Sequence, residues 1–358
     1  MNSAKQKLGS DSAKQKLASD SAKQELGSDS AKQMLRSLRT EQTLGALSVE
    51  RKLGAFGAAR KLGPFGALGV ATLSFFMLTA GSCSRERVES MNKMNEGVIL
   101  AQQKQFVGAV EALERASALD PANDEAFWNL AIVHMQMQKY EPARDDLQKA
   151  IAIAPDAAGY QFKLGEILIE LEDWNGAKQA LEKAVSLDAT LFKAYYKLGR
   201  VHEELAIAED GNENLQAALR RYTEAIQKGP RFLEAYSALG RLYADLGYLD
   251  QAVQVLRAAQ TVALEGTEES ATTHALLGSI YQQQNKPEDA VREFRAALAI
   301  VPGMPDALFS LGWTYAQQGN KEEASRFLKK YVDVAGANAP AHYVKAARDR
   351  LNELTEGH

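Results

Sequence analysis

The chain has 358 residues with a formal net charge of −4, and its 46% hydrophobic and 25% charged residues are ordinary for a folded protein. The charge is uneven. Residues 1–83 carry 12 Lys and Arg against 6 Asp and Glu, a net +6, whereas the remainder carries 30 against 40, a net −10. The acidic remainder argues against nucleic acid as the main partner, and the single cysteine, Cys83, excludes a disulfide framework within the chain.

Residues 1–63 repeat a nine-residue unit whose clearest copy reads Ser-Ala-Lys-Gln-Lys-Leu-Gly-Ser-Asp. Nine residues turn a helix by roughly 900°, so successive leucines would point to opposite sides and form no apolar stripe. One leucine per unit buries too little surface to offset the entropy of ordering the chain. We therefore predict a disordered low-complexity segment, which is either a basic leader or a translated tandem DNA repeat upstream of the true start codon.

Residues 64–83 have the pattern of a secretory signal. A positive flank precedes an uncharged, mostly apolar run from Gly66 to Ser82, and small residues lead into Cys83. This ending resembles the lipobox of bacterial lipoproteins, in which the cysteine is lipidated and becomes the mature N-terminus, although Ala80 stands where that motif usually has leucine. The resemblance implies that Cys83 is lipidated and that residues 84–89 form a linker.

Two other interpretations of this segment stay open. An uncleaved transmembrane helix is one, although about 17 residues is at the short limit for a span. Arg85 and Arg87 follow the run, and positive residues there favour retention. A plain core helix is the other. The lipid and the helix alternatives both place the rest of the chain at a membrane.

From about Ser90 to Gly336 the sequence repeats every 34 residues through seven units. Position eight of the unit is always small, and it falls on Gly97, Ala131, Gly165, Gly199, Gly240, Gly278 and Gly312. Position twenty is always alanine: Ala109, Ala143, Ala177, Ala218, Ala252, Ala290 and Ala324. Small residues at these two places let a first and a second helix approach closely, while larger residues on the same stripes fill the gaps beside them.

This spacing resembles the tetratricopeptide repeat, a helix–turn–helix unit. The resemblance implies an all-α fold: a right-handed α-solenoid of seven helix pairs over residues 90–337. A last apolar stripe, Val344, Ala347, Leu351 and Leu354, predicts a capping helix within residues 338–358. Seven extra residues in unit four, around Asp210, predict a longer loop, and four extra residues around Glu265 predict a helix extension.

The sequence offers little catalytic chemistry. No two of its five histidines have a metal-binding spacing, and there is no second thiol. A phosphate-cradling glycine loop and a nucleophile elbow are both lacking. His134 and His202 occupy position eleven, where other units have tyrosine, so packing explains both. We predict that the chain is not an enzyme and uses no metal or cofactor.

The resemblance also implies that the first helices line a concave wall, where their second, fifth, ninth, twelfth and thirteenth residues face a ligand. Predicted groove residues are the aromatic row Trp128, Phe162 and Tyr196, the arginines Arg200 and Arg241, and a second aromatic site of Phe309 and Trp313. Large apolar groups on a wet concave wall suit an extended peptide or a docked helix, and aromatics and arginine are common interface anchors. Packing against the neighbouring first helix is the alternative for each residue.

The predicted function is therefore a scaffold that binds a protein or peptide partner. We expect a lipoprotein of the cell envelope that faces the periplasm, resembling in architecture the tetratricopeptide lipoproteins that help pilus and secretin assembly. One alternative is a single-pass or cytoplasmic adaptor. Another, from a different class, is the substrate-holding partner of a separate enzyme.

Overall fold

The computed structural model describes residues 73–209, 212–335 and 340–356, and within these ranges all regular secondary structure is α-helical. The helices are α1 (Leu73–Gln102), α2 (Phe106–Leu119), α3 (Asp124–Gln136), α4 (Tyr140–Ile153), α5 (Ala158–Glu170), α6 (Trp174–Leu187), α7 (Phe192–Glu209), α8 (Asn212–Lys228), α9 (Leu233–Asp245), α10 (Leu249–Val262), α11 (Glu268–Gln283), α12 (Pro287–Ile300), α13 (Pro305–Gln317), α14 (Lys321–Ala335) and α15 (Ala341–Glu356). The predicted all-α class is confirmed, whereas the prediction for residues 1–63 lies outside the described residues.

The described helices fall into two compact units, residues 73–201 and residues 202–356, and α7 crosses the boundary. Within the first unit α1 packs on α2, α3 on α4 and α5 on α6, and α2 also contacts α3 as α4 contacts α5. The second unit repeats this order from α8 to α14, and α15 packs on α14. Stacked helix pairs with a last capping helix are the predicted architecture, which is confirmed.

The small residues of each unit lie where the two helices of a pair meet. A Cβ added to Gly165 would lie 2.5 Å from Leu181 Cγ, and one added to Gly278 would lie 2.6 Å from Phe294 Cε1. Ala177, at position twenty, is completely buried. Leucine or phenylalanine on the second helix therefore fills the space that the glycine leaves, and the pair closes without a gap.

The turn inside most pairs has one residue in the left-handed conformation. Position fifteen has a positive φ in six units, at Lys104, Gln138, Glu172, Gly247, Asn285 and Gly319. In the turn of unit five, Gly247 lets the Tyr248 amide donate back to the Tyr243 carbonyl at 2.8 Å, which closes the helix end. The same position of unit four is Ala206, which is helical instead.

The seven-residue insertion therefore lengthens helices, and the predicted longer loop is wrong. α7 continues past Ala206 to Glu209, and α8 already begins at Asn212. Continuing a helix pairs each added backbone amide with a carbonyl, whereas a loop of the same length would leave those groups to water. The second insertion follows its prediction, because α11 begins at Glu268, three residues before the position where other first helices start.

The two ends of the described chain differ. α1 runs unbroken through residues 84–89, so the predicted linker is helical, and the buried Ser90 hydroxyl donates to the Ala116 carbonyl at 2.8 Å. At the other end Ala347 and Leu354 of α15 are buried, as expected of a capping helix.

Residues 64–72 of the predicted anchor lie outside the described residues, as does the side chain of Cys83, and residues 73–83 form the start of α1. Among the helices that the structure describes, none has an apolar stretch long enough to cross a lipid bilayer.

Candidate binding surfaces on the first helices

Trp128 of α3 is half-buried and stacks on Tyr160 of the next first helix, α5, with 4.9 Å between ring centroids and 25° between planes. The Tyr160 hydroxyl donates to Asp124 Oδ2 at 2.8 Å. Burial and this hydrogen bond raise the pKa of Tyr160 well above its usual value, so the phenol stays a protonated donor. One face of Trp128 is therefore used for packing between first helices, and part of the ring remains exposed.

Phe162 of α5 is half-buried beside a bridge of charged residues. Lys163 Nζ lies 2.6 Å from Glu166 Oε2, and Lys197 Nζ of α7 lies 3.3 Å from Glu166 Oε1. Burial alone would raise the pKa of Glu166, but the hydrogen bond to Lys163 and the charges of both lysines outweigh it, and the pKa is lowered. The glutamate is thus ionised at neutral pH, and the bridge carries a net positive charge.

Tyr196 and Arg200 lie one helical turn apart on α7 and share its face. Tyr196 is half-buried, whereas Arg200 is exposed and forms no ion pair within the described part of the chain. Because Trp128 reaches α5 and Glu166 reaches α7, the three first helices are neighbours. The structure therefore brings the aromatic row, Trp128, Phe162 and Tyr196, together along successive helices, with Arg200 at its end.

Arg241 lies in the second unit and has an acidic partner there. Its guanidinium is 3.3 Å from Glu203 Oε2, and Glu203 is only 8% exposed. The pair joins α7 to α9. That Arg241 lines a binding groove stays a prediction, but its guanidinium already compensates a nearly buried carboxylate of the same unit.

The second predicted aromatic site, Phe309 and Trp313, lies under the capping helix. The two rings stack at 5.7 Å, and Phe309 makes edge contacts at 5.2 Å with both Tyr331 and Tyr343. Arg350 of α15 lies over Trp313 at 5.9 Å. These contacts favour the packing alternative at Phe309 and Trp313, because α15 occupies the place that a further first helix would take.

Sequence reasoning missed a buried polar cluster in the second unit. Glu293 of α12 is 3% exposed, and its carboxylate is 2.7 Å from His274 Nδ1 and 3.2 Å from Arg257. Gln260 Nε2 donates to the same carboxylate at 3.2 Å. Burial would raise the pKa of Glu293, but these three partners lower it below its ordinary value. No signal marks this cluster in the sequence, since its members come from three helices.

The histidines have structural partners, as the packing interpretation predicts. His134 Nδ1 is 2.8 Å from Asp146 Oδ2, and His202 Nδ1 is 3.0 Å from Asn214 Oδ1. Within the described ranges, no group of three His, Cys, Asp or Glu side chains is arranged to hold a metal ion.

Comparison with known families and structures agrees with this architecture. Tetratricopeptide repeat models match residues 100–163 and 281–348, residues 203–264, and residues 158–191. The chain has no significant match among curated protein sequences.

Solved structures with a similar course of the chain include the C-terminal part of a TPR repeat-containing protein from Cytophaga hutchinsonii. It is 16% identical, covers 72% of this chain and 99% of its own, and has a TM-score of 0.55. PilF of Pseudomonas aeruginosa is 16% identical over 62% of this chain and 96% of its own, with a TM-score of 0.49. A MamA protein is 25% identical over 49% of this chain and 91% of its own, with a TM-score of 0.45.

The likeness to the Cytophaga structure concerns the fold alone. Family membership rests instead on the repeat models, which together match more than half of the chain at the units that the helix pairs form. The chain is therefore a tetratricopeptide repeat protein.

Proposed function

We propose that this protein is a non-enzymatic scaffold whose aromatic row binds an extended segment of a partner protein. The observation that carries the proposal is the row itself: three half-buried aromatic side chains, Trp128, Phe162 and Tyr196, follow one another on neighbouring first helices. Tetratricopeptide repeats bind proteins and peptides, and an array of flat apolar groups offers pockets for alternate side chains of an extended chain.

The charges beside the row specify the partner further. Lys163 and Lys197 share a single carboxylate, that of Glu166, and Arg200 is exposed at the end of the row. The end of the row at Phe162 and Tyr196 is therefore apolar with basic side chains beside it, whereas the Trp128 end has the Asp124 carboxylate that accepts from Tyr160. A segment that alternates apolar side chains with an acidic residue complements the basic end.

The test is capture of the partner from native membranes by the tagged full-length protein. The triple variant Trp128→Ala, Phe162→Ala, Tyr196→Ala should lose the partner while its circular dichroism spectrum remains that of the wild type. The matched control is Phe309→Ala, which removes an aromatic ring from the covered site. Equal recovery of the same partner by the wild type and the triple variant would refute the proposed surface.

We further propose that the protein is held at the membrane of the cell envelope and faces the periplasm, through a lipid on Cys83. Support for this part comes from the sequence: the apolar run, the small residues before Cys83 and the acidic array that follows. A single-pass anchor is the competing form of attachment, favoured by Arg85 and Arg87.

Intact-mass measurement distinguishes the two forms of attachment. Lipidation predicts a mature chain that begins at Cys83 with an added diacylglycerol mass, and globomycin should cause the unprocessed form to accumulate. The Cys83→Ser variant should remain unprocessed. A membrane-bound chain that keeps the residues before Cys83 in the presence and absence of globomycin would contradict lipidation and support the helix anchor.

A further inference from the structure

A cleft borders a face of α5 other than the one that carries Phe162. It lies between the second helices α4 and α6, within residues 73–201, is open to solvent and has a volume of about 490 Å³. Its floor is formed by Gln161, Leu164 and Leu168, which share one face of α5 at spacings of three and four residues. A space of this size is in the range of ligand-binding sites.

The cleft lies where repeat unit three lacks a large apolar side chain at position four, which Gln161 occupies. In unit two this position is Phe127, which packs against the buried clusters of α2 on one side and of α4 on the other. Tyr195, Tyr236 and Leu308 hold the same position in units four, five and seven, and none is more than 8% exposed. A ring or a leucine thus occupies this position in those units, whereas Gln161 leaves a gap beside it.

Three glutamines of the lining have no partner within the chain. The side chains of Gln148, Gln161 and Gln179 form no hydrogen bond within the part of the chain that the structure describes. Gln148 and Gln179 are exposed on the two walls, α4 and α6. A primary amide both donates and accepts, as a peptide group does, so these side chains can bind the main chain of a segment that crosses the cleft.

The two charged residues of the lining already have partners. Arg144 donates to Asp145 Oδ1 from Nε at 3.0 Å and from Nη2 at 2.8 Å. Asp173 Oδ1 accepts from the Gly176 amide at 2.9 Å and caps α6. The lining therefore offers neither a guanidinium nor a carboxylate without a partner, and an uncharged segment complements it.

We propose that the cleft binds an aromatic side chain of a partner protein, carried by an uncharged extended segment. The ring lies on the half-buried Leu164, beside Leu168, and takes the place that a ring has in units two, four and five. The glutamine amides bind the main chain on either side of the ring. The site goes beyond the proposed function, because it uses none of the aromatic row and prefers an uncharged segment where the row prefers an acidic one.

The probe is the fluorescein-labelled peptide Gly-Ser-Ala-Tyr-Ala-Ser-Gly, titrated with the full-length protein and followed by fluorescence anisotropy. The matched peptide with alanine in place of tyrosine should bind at least about tenfold more weakly, because an aromatic ring supplies most of the apolar surface that is buried.

Two variants test the two parts of the site. Gln161→Tyr supplies from within the chain the ring that other units have, so it should abolish peptide binding and raise the Tm by about 2 °C or more. Gln179→Ala removes one exposed amide and should weaken binding about threefold without changing the Tm. The matched control is Gln254→Ala, an exposed glutamine at the same repeat position in the second unit, which should bind as the wild type does.

The triple variant of the aromatic row should bind this peptide normally, and Gln161→Tyr should still capture the partner of the row. Failure of this site and failure of the proposed function are therefore distinguishable. Absence of binding by the tyrosine peptide, or equal binding by the wild type and Gln161→Tyr, would overturn the proposal. Loss of the peptide in the triple variant would also overturn it, because the row would then be its binding site.

Discussion

The two compact units use the same repeat but differ at its fifth position. In residues 73–201 this position holds the half-buried aromatics Trp128 and Phe162, whereas in residues 202–356 it holds Ser237 and Ala275. The second unit has one aromatic residue there, Phe309, and the capping helix lies against it. The units therefore differ in how many aromatic residues this position holds, and the one aromatic residue of the second unit packs against the capping helix.

Core substitutions should have the largest effect and test whether the units respond separately. Phe294→Ala removes a ring that is 1% exposed and fills the space beside Gly278, and we expect it to cost about 3–5 kcal/mol. Leu181→Ala, its counterpart beside Gly165, should cost about 2–5 kcal/mol. In hydrogen exchange each substitution should reduce protection most within its own unit. An equal loss in both units after either change would show that they unfold together.

Phe309→Ala and Phe162→Ala should separate stability from binding. Phe309 contacts Trp313, Tyr331 and Tyr343, so we expect its loss to cost about 2 kcal/mol and to leave partner capture unchanged. Phe162→Ala should cost at most about 1 kcal/mol and weaken capture. Denaturant unfolding and capture measured on the same preparations check both. If Phe309→Ala also abolished capture, the covered site would have to be counted as a binding site.

The helix pairs could be predicted from the sequence because one local contact recurs in five units. Gly165 with Leu181 and Gly278 with Phe294 are the same contact, at the same spacing, in different units. The capping helix followed from its own apolar stripe. These features depend on residues that lie close together in the sequence, so the spacing of apolar and small residues predicts them.

Sequence patterns did not reveal contacts between distant residues, and the structure of the insertion in unit four was predicted wrongly. Arg241 and Glu203 are 38 positions apart, and Phe309 and Tyr343 are 34 apart, so no local pattern pairs them. The insertion in unit four suited a loop or a helix equally by composition. A usable signal was present at Ala206, since the same position in other units holds glycine, asparagine or another residue in the left-handed conformation.

The buried cluster of the second unit should make its stability depend on pH. Glu293→Gln leaves Arg257 and His274 without their carboxylate, and we expect a cost of about 1–3 kcal/mol at pH 7. The pKa of Glu293 is lowered in the folded state, so its contribution is complete above the unfolded value near 4.5 and is lost as the pH falls through the folded value.

Thermal unfolding of wild type and Glu293→Gln from pH 7 to pH 3 checks this. The difference in Tm should be constant near neutrality and should shrink below about pH 4.5. Glu288→Gln, an exposed position on the same helix, is the control and should show little difference throughout. A difference that grew as the pH fell would contradict the lowered pKa.

Arg241 and Arg200 should give the smallest and most selective effects. Arg241 is 55% exposed but its partner Glu203 is nearly buried, so Arg241→Gln should cost up to about 1 kcal/mol, and added salt should reduce that cost.

Arg200→Gln breaks no ion pair within the described residues, so its Tm should match the wild type while capture of an acidic partner weakens. The opposite result would be normal capture by Arg200→Gln and weakened capture by Arg241→Gln. It would place the surface that binds the acidic residue of the partner in the second unit. Lys163 and Lys197 would then serve only to bridge α5 and α7 through Glu166.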